Sequence, residues 1–140
     1  MTEQEFNFED VKKHLLQMPL VFFSTVEKNQ PRVRPMALIN CDNEYWLTSR
    51  SYEEKMDQVK ENAKFEFSFN EQENLKGMIR ITGKAYVIED LKIKEKLSKA
   101  IPFFKDYYTE PADPNFGLIK LEIEEVRVLS NRKRYRFDWK

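Results

Sequence analysis

Two arginines one residue apart, Arg32 and Arg34, and a run of hydroxyl and basic side chains, Thr48, Ser49, Arg50 and Ser51, followed by Lys55, are the groups in this chain whose types and spacing could do chemistry. That chemistry is anion binding. Residues 32–39 alternate as a strand does, so Arg32 and Arg34 share a face with Met36 and Leu38, while Val33, Pro35, Ala37 and Ile39 share the other. Ser51 with Glu54 has the spacing of a helix capping box, and the free N–H groups and dipole of a helix start favour negative charge. A hairpin pairing the 32–39 strand with the 45–48 strand would bring both arginines to this trap, where guanidinium groups match phosphate oxygens in pairs. The bland alternative is a solvated arginine face beside an ordinary serine cap.

Other chemistries find less support. Glycine occurs only at Gly77, Gly83 and Gly117, so there is neither a Gly-rich dinucleotide fingerprint nor a phosphate-binding P-loop. Cys41 and His14 are the only cysteine and histidine, which excludes an internal disulfide and any Cys/His metal spacing. They are read as a buried thiol and a helix-face imidazole rather than a nucleophile and its base. The 24 basic and 24 acidic residues cancel, so no global field steers the chain to nucleic acid or an anionic membrane. Residues 1–9 lack a leader pattern and no apolar run is long enough to span a bilayer, so a cytoplasmic protein is expected.

The elements that must position these groups read as mostly strand. At 140 residues with 41% hydrophobic residues and 11 Phe, the chain suits one domain, 1–140, with a single core. Asn7 with Asp10 opens a first helix with Val11, Leu15 and Met18 on one face. Residues 20–26 are nearly all apolar or β-branched, as in a strand buried on both faces. A second helix follows Ser51 with Tyr52, Met56, Val59 and Ala63 inward, and 64–70 alternates Phe65, Phe67 and Phe69 with polar residues. A long strand over 78–89 contains Gly83, which suggests a bulge or a close backbone approach. Asp90 precedes a third helix with Ile93, Leu97 and Ala100 inward, and 102–114 is a Pro-bounded loop with Tyr107 and Tyr108 as anchors. The phase shift from Ile119, Leu121 and Ile123 to Val126 and Val128 places an extra residue near Glu124 and Glu125, and a last strand carries Tyr135, Phe137 and Trp139. Six or seven strands in hairpin-like succession with about three helices exclude a doubly wound sheet and favour an antiparallel β-barrel with peripheral helices.

Three strings in register, VFFSTVEKNQPRVRPMALI, YWLTSRSYEEKMDQVKENAKFEFSF and IRITGKAYVIED, resemble the FMN-binding split-barrel family that includes pyridoxamine 5′-phosphate oxidase, particularly its short bacterial members. The resemblance covers about residues 10–90. It implies a mainly β fold, a six-stranded antiparallel split β-barrel, forming a homodimer with FMN at the subunit interface. It also implies that Arg34, Pro35, Met36 and Ala37 contact the flavin, and that Leu47, Thr48, Ser49 and Lys55 hold the ribityl and phosphate groups. Arg32 joins this cofactor-binding set through the anion trap. The oxidase itself has a glutamine near the position of Met78 and an Arg/His motif near the end of the chain, and this sequence has neither. The expectation is an FMN-dependent oxidoreductase that is not pyridoxamine phosphate oxidase, with a small-molecule redox substrate and no nucleic-acid or membrane partner. The alternative is a flavin- or haem-binding module of the same fold without turnover. In either case the aromatic and basic residues of the last strand could cover the flavin of the neighbouring subunit.

Overall fold

The computed structural model describes residues 6–71 and 77–140; residues 1–5, part of the segment read for a leader, lie outside the described residues. One curled antiparallel sheet of eight strands takes the place of the six expected. The first helix, α1 (Phe8–Leu16), is closed by a full capping box between Asn7 and Asp10. It is followed by β1 (Leu20–Glu27), β2 (Gln30–Ala37), β3 (Ile39–Cys41) and β4 (Glu44–Arg50). Then come α2 (Glu54–Glu61), β5 (Lys64–Asn70), β6 (Met78–Ile88), α3 (Leu91–Ala100), the single turn α4 (Phe104–Tyr107), β7 (Phe116–Ser130) and β8 (Lys133–Asp138). The strand order is β2-β1-β5-β6-β7-β4-β3, with β8 also paired to β7.

Three tight reversals, at Lys28–Asn29, Asp42–Asn43 and Asn131–Arg132, have positive φ at both central residues, the geometry that matches the twist of antiparallel strands. The two irregularities expected at Gly83 and near Glu124 are the two sides of one bulge. Thr82 pairs with Glu125 and Gly83 with Ile123, so Glu124 is the extra residue. A Cβ on Gly83 would collide with the Glu122 carbonyl, which explains glycine there. The freed Glu124 carbonyl accepts the Trp139 N–H at 2.9 Å and so anchors the end of the chain.

Phe23, Phe67, Leu47, Ile79, Ile81 and Ile119 are fully buried inside the curl. A second cluster, with Trp46, Leu97, Ile101, Phe104, Tyr108 and Phe116, fills the space under α3 and α4. Two readings are corrected. β1 is not buried on both faces: Val21, Phe23 and Thr25 point inward, while Leu20 is 60% and Phe22 47% exposed on the convex side. α2 does not start on a Ser51 capping box. Its cap residue is Glu53 with no side-chain cap bond, Tyr52 is exposed, and the inward face is Met56, Gln58 and Val59. Serine is drawn away because its hydroxyl donates to the Pro114 carbonyl at 2.6 Å.

β8 presents Tyr135, Phe137 and Trp139 to the body of the protein, where they meet Phe6, Phe8 and Tyr45 ring to ring. The aromatic face of the last strand therefore fastens α1 to the sheet. No helix among the described residues is long and apolar enough to cross a membrane.

Candidate functional site

The two ends of the strand order, β2 and β3–β4, are not hydrogen-bonded to each other, so the barrel is split along this seam. The expected β2–β4 hairpin is absent: β2 pairs with β1, and β4 with β3 and β7. A cavity of about 490 Å³ nevertheless opens where the curl brings the ends of β2 and β4 together. One wall is Pro35, Met36 and Ala37, and the floor is Thr48, Ser49 and Arg50. Glu53 and Lys55 stand at the start of α2, and Phe103, Asp106, Tyr107 and Tyr108 close the remaining side.

The floor is ordered by hydrogen bonds. Ser49 is 6% exposed and accepts from the Lys55 ammonium at 3.1 Å. The Thr48 hydroxyl lies 3.0 Å from the Gly117 carbonyl and 3.3 Å from the Tyr108 hydroxyl. Thr48 has a single proton; given to the carbonyl, it leaves Tyr108 to act as donor. Gly117 lets β7 pass close below: an added Cβ would stand 2.5 Å from the Ser49 carbonyl oxygen and 2.9 Å from Met56 Cε. Burial lowers the Lys55 pKa, Glu53 opposes this, and the positive charge of Arg34 adds to the lowering. Lys55 and Arg34 thus feel each other's field. Burial likewise raises the Tyr108 pKa, which keeps it a neutral phenol.

Arg34 does not line the cavity. It reaches inward to α2, where its guanidinium donates to the Phe23 carbonyl at 3.3 Å, to Thr25 Oγ1 at 2.9 Å and to Gln58 Oε1 at 2.9 Å. Burial is the main cause of its lowered pKa. Arg32 stays outside the site, paired with Glu27 at 3.5 Å, because its register opposite Thr25 puts it near the β1–β2 turn. Leu47 is fully buried in the core, so its side chain is unavailable to a ligand. Of the positions named from the sequence, the structure brings Pro35, Met36, Ala37, Thr48, Ser49 and Lys55 together in one cavity, with Arg34 against the helix that carries Lys55.

Glu53, Phe103, Asp106, Tyr107 and Tyr108 were not legible as lining. The Pro-bounded Tyr107/Tyr108 pair was the available signal, and nothing local says that α4 folds back over β4. The loop behind it is held by Asp113, which accepts from Thr109 N at 3.0 Å, Thr109 Oγ1 at 3.2 Å and Asn115 N at 2.9 Å. These bonds, the Thr109 backbone bond foremost, hold its carboxyl below the ordinary value. A depressed folded-state pKa contributes stability above the ordinary carboxylate value, and that stability is lost as pH falls through the depressed one. The Thr109 and Asn115 amide resonances are expected to move together only below about pH 4, a joint transition that NMR titration of Asp113→Asn should not show.

His14 and Cys41 form no second site. His14 stacks on Phe6 with ring centroids 6.2 Å apart, and the Cys41 thiol, pushed up chiefly by burial, is free. Among the described residues no cluster of His, Cys, Asp and Glu could hold a metal ion.

Fold and cavity define a split-barrel protein with a hydroxyl- and ammonium-lined pocket at its seam. The family model for pyridoxamine 5′-phosphate oxidase matches residues 8–130, and the chain belongs to that family. Among solved structures it is similar to a NimC/NimA family protein from Clostridium acetobutylicum, with a TM-score of 0.77, 22% identity and 92% of each chain covered. It is also similar to a pyridoxamine 5′-phosphate oxidase-related, FMN-binding protein from Nostoc punctiforme, with a TM-score of 0.69, 17% identity, 96% of this chain and 91% of that chain covered. A haem-binding protein from Mycobacterium smegmatis matches with a TM-score of 0.70 at 12% identity, over 90% of this chain and 55% of that one. At these identities the likeness is one of fold. No curated protein sequence matches the chain.

Proposed function

We propose that this protein binds FMN in the seam cavity and acts as a flavin-dependent oxidoreductase, working as a homodimer. The observation that carries the reading is the Lys55 ammonium on the buried Ser49 hydroxyl, facing Pro35, Met36 and Ala37 across the split. Those donors fit a phosphoester, and the apolar side of the cavity, Pro35, Ala37 and Tyr107, fits a flat ring. Lys55, Thr48 and Ser49 would hold the phosphate and ribityl groups, with Arg34 supplying charge from behind; Arg50 stands at the same floor. Bound FMN supplies the hydride and electron chemistry, and the chain's residues bind it, orient it and exclude water. The FMN-binding relative in this family supports the cofactor.

The dimer is supported by the convex face of β1 and β2. Leu20 pairs with Ala37 and Phe22 with Pro35, and Leu20 at 60%, Phe22 at 47% and Val33 at 68% exposure make a bare apolar patch next to the cavity wall. A second copy seated there buries the patch and closes the open side of the pocket.

The alternative is a module that holds flavin or haem without turnover, in line with the haem-binding relative. The single imidazole, His14, stacks on Phe6 and is not part of the cavity, which favours flavin over haem. Titration of the apoprotein with FMN is expected to give micromolar or tighter binding, a flavin absorption band and a two-chain mass by light scattering. No calorimetric uptake of FMN overturns the cofactor assignment, and a flavin-loaded protein that oxidises NAD(P)H no faster than free FMN favours the binding module.

A further inference from the structure

The flavin reading leaves the inner side of α2 unexplained. Gln58 is a polar residue only 2% exposed, on a helix face otherwise made of Met56 and Val59. Burying an amide is unfavourable unless each end finds a partner. Here both ends do. Its Oε1 accepts from Thr25 Oγ1 at 2.6 Å and from Arg34 Nη2 at 2.9 Å, and its Nε2 donates to Glu27 Oε2 at 2.8 Å. The amide cannot be turned round: Arg34 offers only protons and an ionised Glu27 only lone pairs.

Every hydrogen-bond partner of Arg34 is uncharged: the Phe23 carbonyl, the Thr25 hydroxyl and the Gln58 amide oxygen. Glu27 is kept one step away, bonded to the far end of Gln58 and to Arg32, and Glu54 at the start of α2 acts on Arg34 only through space, with no hydrogen bond to it. Three of the five guanidinium protons are used, leaving two. A charge fixed in place, poorly solvated and held in no direct ion pair acts strongly on an anion bound nearby.

We infer that Gln58 is the positioning residue of the phosphate end: its neutral amide fixes the Arg34 guanidinium between β2 and α2 without cancelling its charge, and so makes the cavity prefer a phosphate-bearing ligand. The inference rests on the proposed cofactor site and assigns to a residue outside the cavity the selectivity for FMN over riboflavin, the same flavin without phosphate.

Gln58→Glu keeps size and both acceptor contacts, but it places a carboxylate on Arg34 and against Glu27. Gln58→Met keeps the volume and removes every hydrogen bond. Fluorescence titration of each variant with FMN and with riboflavin gives the ratio of the two affinities. In Gln58→Glu that ratio is expected to fall about tenfold or more, with riboflavin affinity unchanged. In Gln58→Met it falls about threefold, because Arg34 is loosened but stays charged. A merely structural role would weaken both flavins equally. If Gln58→Glu does not fold, the ratio in Gln58→Met decides. An unchanged ratio in the folded variants, while the unaltered protein binds FMN, overturns this inference alone. An unaltered protein that binds no FMN overturns the cofactor assignment and the inference together.

Discussion

Lys55→Ala is expected to weaken FMN binding about ten- to a hundredfold while leaving the fold intact. Removing one charge-assisted hydrogen bond costs about 1.5–3 kcal/mol, which is that factor in affinity. The fold survives because Lys55 lies outside the inward face of α2, and its one hydrogen bond is to Ser49 Oγ. Ser49 keeps a partner, the Arg50 carbonyl at 3.2 Å. Calorimetric titration with FMN, set beside a thermal melt, reads both effects. Unchanged affinity would mean that the phosphate does not bind at this floor. Arg34→Ala makes a poorer first test, because it also strips partners from Thr25 and Gln58 inside the protein.

The largest effect on stability is expected at Phe67. Its ring is fully buried at the centre of β5, with Phe65 5.9 Å and Phe69 6.2 Å away on the same face. β5 lies between β1 and β6 in the strand order, so a hole there is walled by sheet on both sides and cannot collapse easily. Phe67→Ala is expected to cost about 3–5 kcal/mol of unfolding free energy, read from the denaturation midpoint at constant slope. A cost below about 1 kcal/mol would show a core loose enough to refill the space.

Local chemistry explains which parts were readable in advance. The Asn7 capping box and the period-two run of Phe65, Phe67 and Phe69 depend on neighbours within a few residues, and both appear where the pattern put them. The bulge was legible from both of its strands separately, once as a misplaced glycine and once as a phase shift. What failed depended on distant partners. Ser51 has the spacing of a cap, but the Pro114 carbonyl, far along the chain, claims its hydroxyl. Leu20 and Phe22 look like core residues because the apolar run does not say which face a second layer covers.

The cofactor positions divide in the same way. The alternation on β2 correctly put Arg32 and Arg34 on one face, since Arg32 faces Thr25 and Arg34 faces Phe23 across β1. It could not say that this face turns toward α2 while Pro35 and Ala37 meet the cavity, because the curl of the sheet is set by strands far away in sequence. The contribution of α4 was hidden for the same reason.

Leu38 alone joins β2 to β3, and those two strands stand at opposite ends of the strand order. The two lips of the seam are therefore tethered by one residue, itself fixed by its N–H to the Pro19 carbonyl at 3.1 Å. One intervening residue keeps the Cα atoms of Ala37 and Ile39 within about 7 Å of each other. At that end the slot cannot widen beyond this span, and the sides not made of sheet come from α2, through Glu53 and Lys55, and from the short turn carrying Tyr107.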